Sequence, residues 1–301
     1  MTQAPNGIDT PGLSPTFKAA LWMTGTIVSF SSMAVAGREV SYALDTFEIM
    51  MYRSLIGLLI VALVLTVTGR WQVVRHRLIG QHVIRNLAHF TGQNLWLFAV
   101  TAIPLAQVFA LEFTSPLWVL ILSPLLLGER LTRNRALCAL AGFIGILIVA
   151  RPSPSTLEIG LLAAASAALF FALTNILTKR LTRHETIGGI IFWLTALQLI
   201  MGIVAAGWDG DIALPGLAEL PFVVVIALGG LTAHFCLTNA LAIAPATVVM
   251  PFDFVRLPAI AVIGMLLYGE PLDIWIFVGG VVIFGAIYMN ILAETRRNRV
   301  V

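Results

Sequence analysis

Ten apolar stretches, each about as long as a bilayer is thick, follow one another along this chain with only short polar connections between them. A helix needs roughly 20 residues to cross about 30 Å of hydrocarbon. The stretches run 18–37, 47–68, 83–101, 105–127, 134–150, 157–177, 186–207, 221–243, 247–268 and 273–292. Backbone polar groups find no water in that layer, so each stretch is expected to satisfy its own as a helix. No room is left for a separate soluble domain, and 59% hydrophobic against 11% charged residues exclude one independently. The expected fold is an all-α membrane protein with ten transmembrane helices. Residues 1–17 are rich in Pro and Gly and lack the charge and apolar core of a secretory signal, which predicts a disordered cytoplasmic tail; residues 294–301 predict a basic one.

Lysines and arginines set the orientation, because cytoplasmic loops keep them and translocated loops shed them. With the N-terminus inside, 14 of the 18 fall on the cytoplasmic side, Arg85 among them, while only Arg38 and Arg151 fall on the other. Both termini are therefore expected in the cytoplasm. A net charge of +3 spread over short loops reads as membrane topology, not as a nucleic-acid surface. Cys138 and Cys236 both sit in apolar runs, so neither a disulfide nor a metal site is expected, and no cofactor motif is present.

An offset of 141 residues exposes an internal repeat. AIPLAQVFALEFTSPLWVLILSPLLLGERL, from Ala102, lies against AIAPATVVMPFDFVRLPAIAVIGMLLYGEPL, from Ala242. Pro104 meets Pro245, Glu112 meets Asp253, and Gly128 with Glu129 meets Gly269 with Glu270. Apolar text aligns by chance, but an acid inside one span rarely meets an acid inside another. The halves, 18–151 and 152–293, hold five spans each, so the second enters the membrane inverted (5+5). Inverted repeats mark secondary transporters, whose site lies near the midplane between the halves.

Asp253 and Arg256 stand three residues apart inside one such span, between Pro251 and Pro258. Each charge at the bilayer centre costs about 2.5–3.5 kcal/mol on insertion scales. The spacing puts both on one helical face, where they can pair, and the prolines remove backbone donors and favour a kink. Two readings stay open: a charged group on the substrate path, or a clamp joining the halves with Glu112 or Arg53. In the third span Asn86, His89, Gln93 and Trp96 form a polar stripe; in the eighth, His234, Thr238 and Asn239 are neighbours, and His234 matches Gln93 at the repeat offset. Phe113, Trp118 and Phe252, like Tyr52 and Trp193, offer aromatic faces that suit either a substrate ring or helix packing. Pro116 joins Pro251 and Pro258 as an expected hinge. Asn175, Gln198 and Asn290 are read as interhelical hydrogen-bonding groups. Gly-rich fifth and tenth spans predict a scaffold or lipid-facing contact, and the two Gly-Glu pairs predict left-handed helix ends with the Glu at the surface.

On the paired signatures PLWVLILSPLLLGERL and PAIAVIGMLLYGEPL and the two halves of five spans, the chain resembles the EamA family of the drug/metabolite transporter superfamily. That resemblance implies a transporter of small metabolites in the bacterial inner membrane, and YddG-like members imply export of aromatic or other neutral amino acids. Motifs for zinc hydrolysis, a serine nucleophile elbow and a phosphate-cradling loop are all missing from the sequence, so neither an enzyme nor ATP drive is expected. The expected activity is alternating access with a small-molecule substrate, coupled to protons or by facilitated diffusion. A lipid-handling, flippase-like protein is the alternative, and it requires a laterally open apolar groove instead of a closed pocket around Glu112 and Asp253.

Overall fold

The computed structural model describes residues 14–128, 133–150 and 159–270, with helical pieces between 274 and 289. Residues 1–13 of the expected first tail, the whole of the second, Glu129, Arg151 and Asn290 lie outside the described residues, while residues 15–17, expected in the disordered tail, form the first turn of a helix. Helix α1 spans Pro15–Val40, α2 Thr46–Val67, α3 Ile79–Ala102, α4 Leu105–Glu112, α5 Ser115–Leu127 and α6 Arg133–Ala150. In the second half, α7 spans Ile159–Leu181, α8 Ile187–Ala206, α9 Leu220–Ile243, α10 Ala246–Val249 and α11 Arg256–Tyr268, with a 3-10 segment, Met250–Val255, before α11. Among the described residues five helices, α1, α2, α7, α8 and α9, are long and apolar enough to cross a membrane, or six crossings if the bent pair Gln107–Val119 and Ile121–Leu127, which runs through α4 and α5, is one. Helix α3 has 24 residues, but His82, Arg85, Asn86, His89 and Gln93 dilute its apolar character.

Local chemistry explains where several helices begin. Ser14 accepts from the Phe17 amide ahead of Pro15 at α1. Asp45 and Glu48 bond reciprocally to each other's backbone amides at α2, a capping box. Thr186 accepts from the Gly189 amide at α8.

Packing across the halves follows a twofold pattern. Helix α1 lies chiefly on α9, α3 on α7 and α2 on α8. Exchanging the halves turns α1 into α7 and α3 into α9, so the first contact becomes the second and α2 on α8 becomes itself. A glycine sits at each crossing: a Cβ at Gly202 of α8 would meet the Met51 Cα at 2.9 Å, one at Gly92 of α3 the Phe170 Cβ at 3.0 Å, and one at Gly229 of α9 the Ser29 carbonyl oxygen at 3.1 Å. Small residues provide the close approach that apolar lipid cannot drive. The glycines singled out in the fifth and tenth stretches do not serve in this way, since a Cβ at Gly142, Gly280 or Gly285 would meet nothing within 4 Å. Among the described residues α6 packs on α4 and α5 and exposes Leu137, Leu140 and Phe143 outward.

Backbone angles repeat at the offset of 141. Pro104 and Pro245 cap α4 and α10 at φ −55° ψ 141° and φ −59° ψ 145°, and Gly128 and Gly269 close α5 and α11 in the left-handed region at φ 68° and 64°. The halves diverge between these points. Where α4 is an unbroken helix, Pro251 lacks the amide that an α-helix would use, and the chain tightens into the 3-10 segment. A 44° bend separates Gln107–Val119 from Ile121–Leu127. It lies four residues before Pro124, whose ring crowds that carbonyl, and not at the expected hinge Pro116, the second residue of α5.

Gly202→Val should lower the unfolding midpoint of the purified protein, an overpacking cost of about 1–3 kcal/mol, whereas Gly142→Val should leave it unchanged; thermal melts in detergent compare the two.

Candidate functional site

An internal cavity lies between the halves, lined from α1, α3, α4, α5, α7, α9, the 3-10 segment and α11. The break between α10 and α11 aims Asp253 and Arg256 into it, and the end of α4 brings Glu112. Arg256 donates to Glu112 Oε1 at 2.5 Å and to Asp253 Oδ2 at 2.7 Å. Glu112 accepts a further bond from the Trp96 indole at 2.6 Å. The guanidinium also lies over the Phe30, Phe109 and Phe113 rings, 4.9–5.4 Å from their centroids. All three charged residues are buried. One guanidinium is shared between two carboxyl groups, and the cluster joins α4 of the first half to the second.

Of the residues read from the sequence, His89, Gln93, Trp96, Glu112, Phe113, Pro116, His234, Asp253 and Arg256 line the cavity. Four do not. Trp118 is 38% exposed, and Phe252 packs against a separate apolar cluster. The Thr238 hydroxyl donates to the His234 carbonyl at 2.6 Å and the Asn239 amide to the Phe235 carbonyl at 2.8 Å, so each is spent on its own helix. Pro258 is the third residue of α11 and half-buried, and Pro251 lies in the 3-10 segment.

Other expectations are corrected. Arg53 does not join the charged cluster; it lies in a separate chamber. Arg85, counted with the cytoplasmic loops, is 2% exposed inside the bundle. Glu270, placed at the surface, is an ion-pair partner of Arg38 at 2.5 Å, with both side chains 15% exposed. Gln198 behaves as expected, donating to the Asn86 carbonyl at 2.8 Å, but Asn175 lines the cavity. Tyr52 donates to the Ala213 carbonyl and Trp193 to the Arg75 carbonyl, both outside the cavity.

Sequence reading missed the contributions of α1 and α7: Thr26, Phe30, Met33, Phe171 and Thr174 also line the cavity. A usable signal existed, because Phe30 and Phe171 match at the same 141-residue offset that pairs Glu112 with Asp253. Unused polar atoms remain. Asp253 Oδ1, Ser115 Oγ, His234 Nε2 and both His89 ring nitrogens are buried without hydrogen-bond partners, and such groups are costly unless something fills them.

Each end of the bundle carries a clasp. Beside its bond to Glu270, Arg38 donates to the Ile103 carbonyl, and Glu270 accepts the Leu105 amide. At the repeat-equivalent position Lys179 donates to the carbonyls of Leu241 and Ala244, 2.6 and 2.9 Å away. Ala244 is the counterpart of Ile103 and Glu129 of Glu270.

Arg256→Leu leaves two buried carboxylates facing each other and should cost about 3–5 kcal/mol of stability, while Asp253→Asn keeps the Glu112 bond and should cost less. Denaturation of both variants in one detergent checks the order.

The EamA-like transporter family matches residues 17–151 and 158–292. A riboflavin transporter of Brucella anthropi is 32% identical over 237 residues, covering 75% of this chain and 83% of that protein. An S-adenosylmethionine uptake transporter of Rickettsia bellii is 24% identical over 277 residues, 91% of this chain and 94% of that one. A solved structure superposes with a TM-score of 0.73 over 92% of this chain and 98% of its own at 18% identity, which is a likeness of fold. The chain therefore belongs to the EamA-like transporter family, as a multi-pass protein of the inner membrane that moves small metabolites and is not an enzyme.

Proposed function

We propose that the chain carries a ring-bearing metabolite of flavin or nucleoside size across the membrane by alternating access between the halves 18–151 and 152–293. The observation that carries this reading is the cavity between the halves, lined by Trp96, Phe30, Phe113 and Phe171 together with the charged cluster. Aromatic faces suit a conjugated ring, and the relatives named for riboflavin and S-adenosylmethionine have such cargo. A site with Glu112, Asp253 and Arg256 in its wall fits a metabolite carrier better than an apolar lipid groove.

The cavity holds about 50 Å³, well below the roughly 300 Å³ at which small-molecule pockets begin. A vitamin-sized solute needs the halves to part. In this reading the Arg38–Glu270 clasp closes one mouth and the Lys179 clasp the other, and they release in turn. The bend before Pro124, the interruption at Phe113 and Thr114 and the 3-10 segment that holds Pro251 absorb the movement. The termini face the cytoplasm, which puts Arg38 on the outer side. His89, Gln93, His234, Glu112, Asp253 and Arg256 hold the polar part of the cargo. Export of aromatic or neutral amino acids is the second reading, favoured because the cluster offers both the charges an α-amino acid presents.

Purified protein in liposomes should pass riboflavin or S-adenosylmethionine down a gradient, assayed with and without a pH difference; flux of amino acids alone would select the second reading, and no flux with either set would return the lipid alternative. Arg38→Glu should abolish that flux and Glu270→Arg in the same chain should restore it, which a merely structural surface pair would not require.

A further inference from the structure

A second buried polar cluster lies outside the central cavity. Arg53 on α2 is 6% exposed, and its one hydrogen-bonding contact is from Nη1 to the Met50 sulfur at 3.3 Å. It faces a chamber lined by Ser54, Thr195, Gln198 and Gly230. The site is built to admit the guanidinium, since a Cβ at Gly230 would meet Arg53 Nε at 2.6 Å. Arg85 donates to the Thr178 hydroxyl at 3.0 Å and to Asn86 Oδ1 at 3.1 Å, both neutral acceptors. Gln198 links the two, lining the Arg53 chamber while its amide bonds Asn86. Among the described residues no carboxylate reaches either arginine within ion-pair distance. Arginines inside a membrane are ordinarily paired with acids or capped by carbonyls, and unpaired ones mark paths for charge.

The chamber is continuous in its walls with the central cavity. Ala227 and Gly230 line the first and His234 and Leu237 the second, and their spacing of three and four places all four on one face of α9. Asn86, His89, Gln93 and Trp96 follow the same spacing on α3. Where the stripes meet, the His89 and His234 rings stand edge to face with centroids 4.6 Å apart.

We propose that Arg53, reinforced by Arg85, receives an oxyanion carried by the transported molecule, a carboxylate or a phosphate. This rests on the carrier reading above and adds the charge class of its cargo. Arginine's planar fork matches both groups by paired N–H donors, and an anion there neutralises a charge the fold leaves open. In the described conformation the chamber holds only about 10 Å³, no more than a single water needs, so the oxyanion enters once the halves part.

Unfolding midpoints of the purified full chain, at constant ionic strength with inorganic phosphate or acetate replacing chloride, test this without any transported substrate. At least one probe should raise the wild-type midpoint, and which one acts distinguishes phosphate from carboxylate. The shift should vanish in Arg53→Met, whose midpoint without anion should equal or exceed the wild type because an unpaired buried charge has gone; Arg53→Lys should keep part of the shift. Equal shifts in wild type and Arg53→Met, no shift with either probe, or an anion-free Arg53→Met midpoint below the wild type overturns the proposal. A failed flux assay beside an Arg53-dependent anion shift would count against the carrier reading alone.

Discussion

One guanidinium shared by two carboxylates is the constraint around which the bundle is arranged. Arg256 cannot be accommodated at that depth alone, and Glu112 and Asp253 arrive from opposite halves of the chain to meet it. Three aromatic rings around the guanidinium complete its surroundings. The same cluster ties α4 to α11 and lines the cavity, a position compatible with both readings that the sequence left open. A joint between moving parts and a site for cargo need not be separate when the charges lie on the seam.

The helical breaks make that arrangement possible. An unbroken α-helix through residues 246–268 would carry Asp253 and Arg256 on one continuous face; the switch from 3-10 to α at Arg256 re-aims them while preserving their contact. In the first half the interruption is shorter, at Phe113 and Thr114, and the larger bend falls near Pro124. Repeated sequence thus gives similar caps at both ends and different interiors between them.

Much of this was legible in the chain because lipid imposes simple rules. Long apolar runs, an acid aligned with an acid and a Gly-Glu aligned with a Gly-Glu disclosed the duplication, and spacing of three and four located His89, Gln93, Trp96 and His234. Apolar cavity walls stayed hidden: Phe171 sits in the apolar run AALFFAL and Phe30 and Met33 among serines with no polar stripe of their own, and no period there separates a cavity face from a lipid face. Arg85 was misplaced because position near a span's end does not distinguish a loop cation from one folded under the bundle. Thr238 and Asn239 misled for another reason, since a polar side chain bonded to its own helix looks the same in sequence as one aimed at a ligand.

The Arg38 and Lys179 clasps occupy the same place in two copies of one module, yet they are chemically unequal. A flat, forked cation grips a carboxylate in a fixed orientation, whereas an ammonium is a compact, strongly hydrated point charge that surrenders its partners to water more readily. In the proposed cycle this difference breaks a symmetry that duplication would otherwise enforce: the two mouths need not open at equal cost.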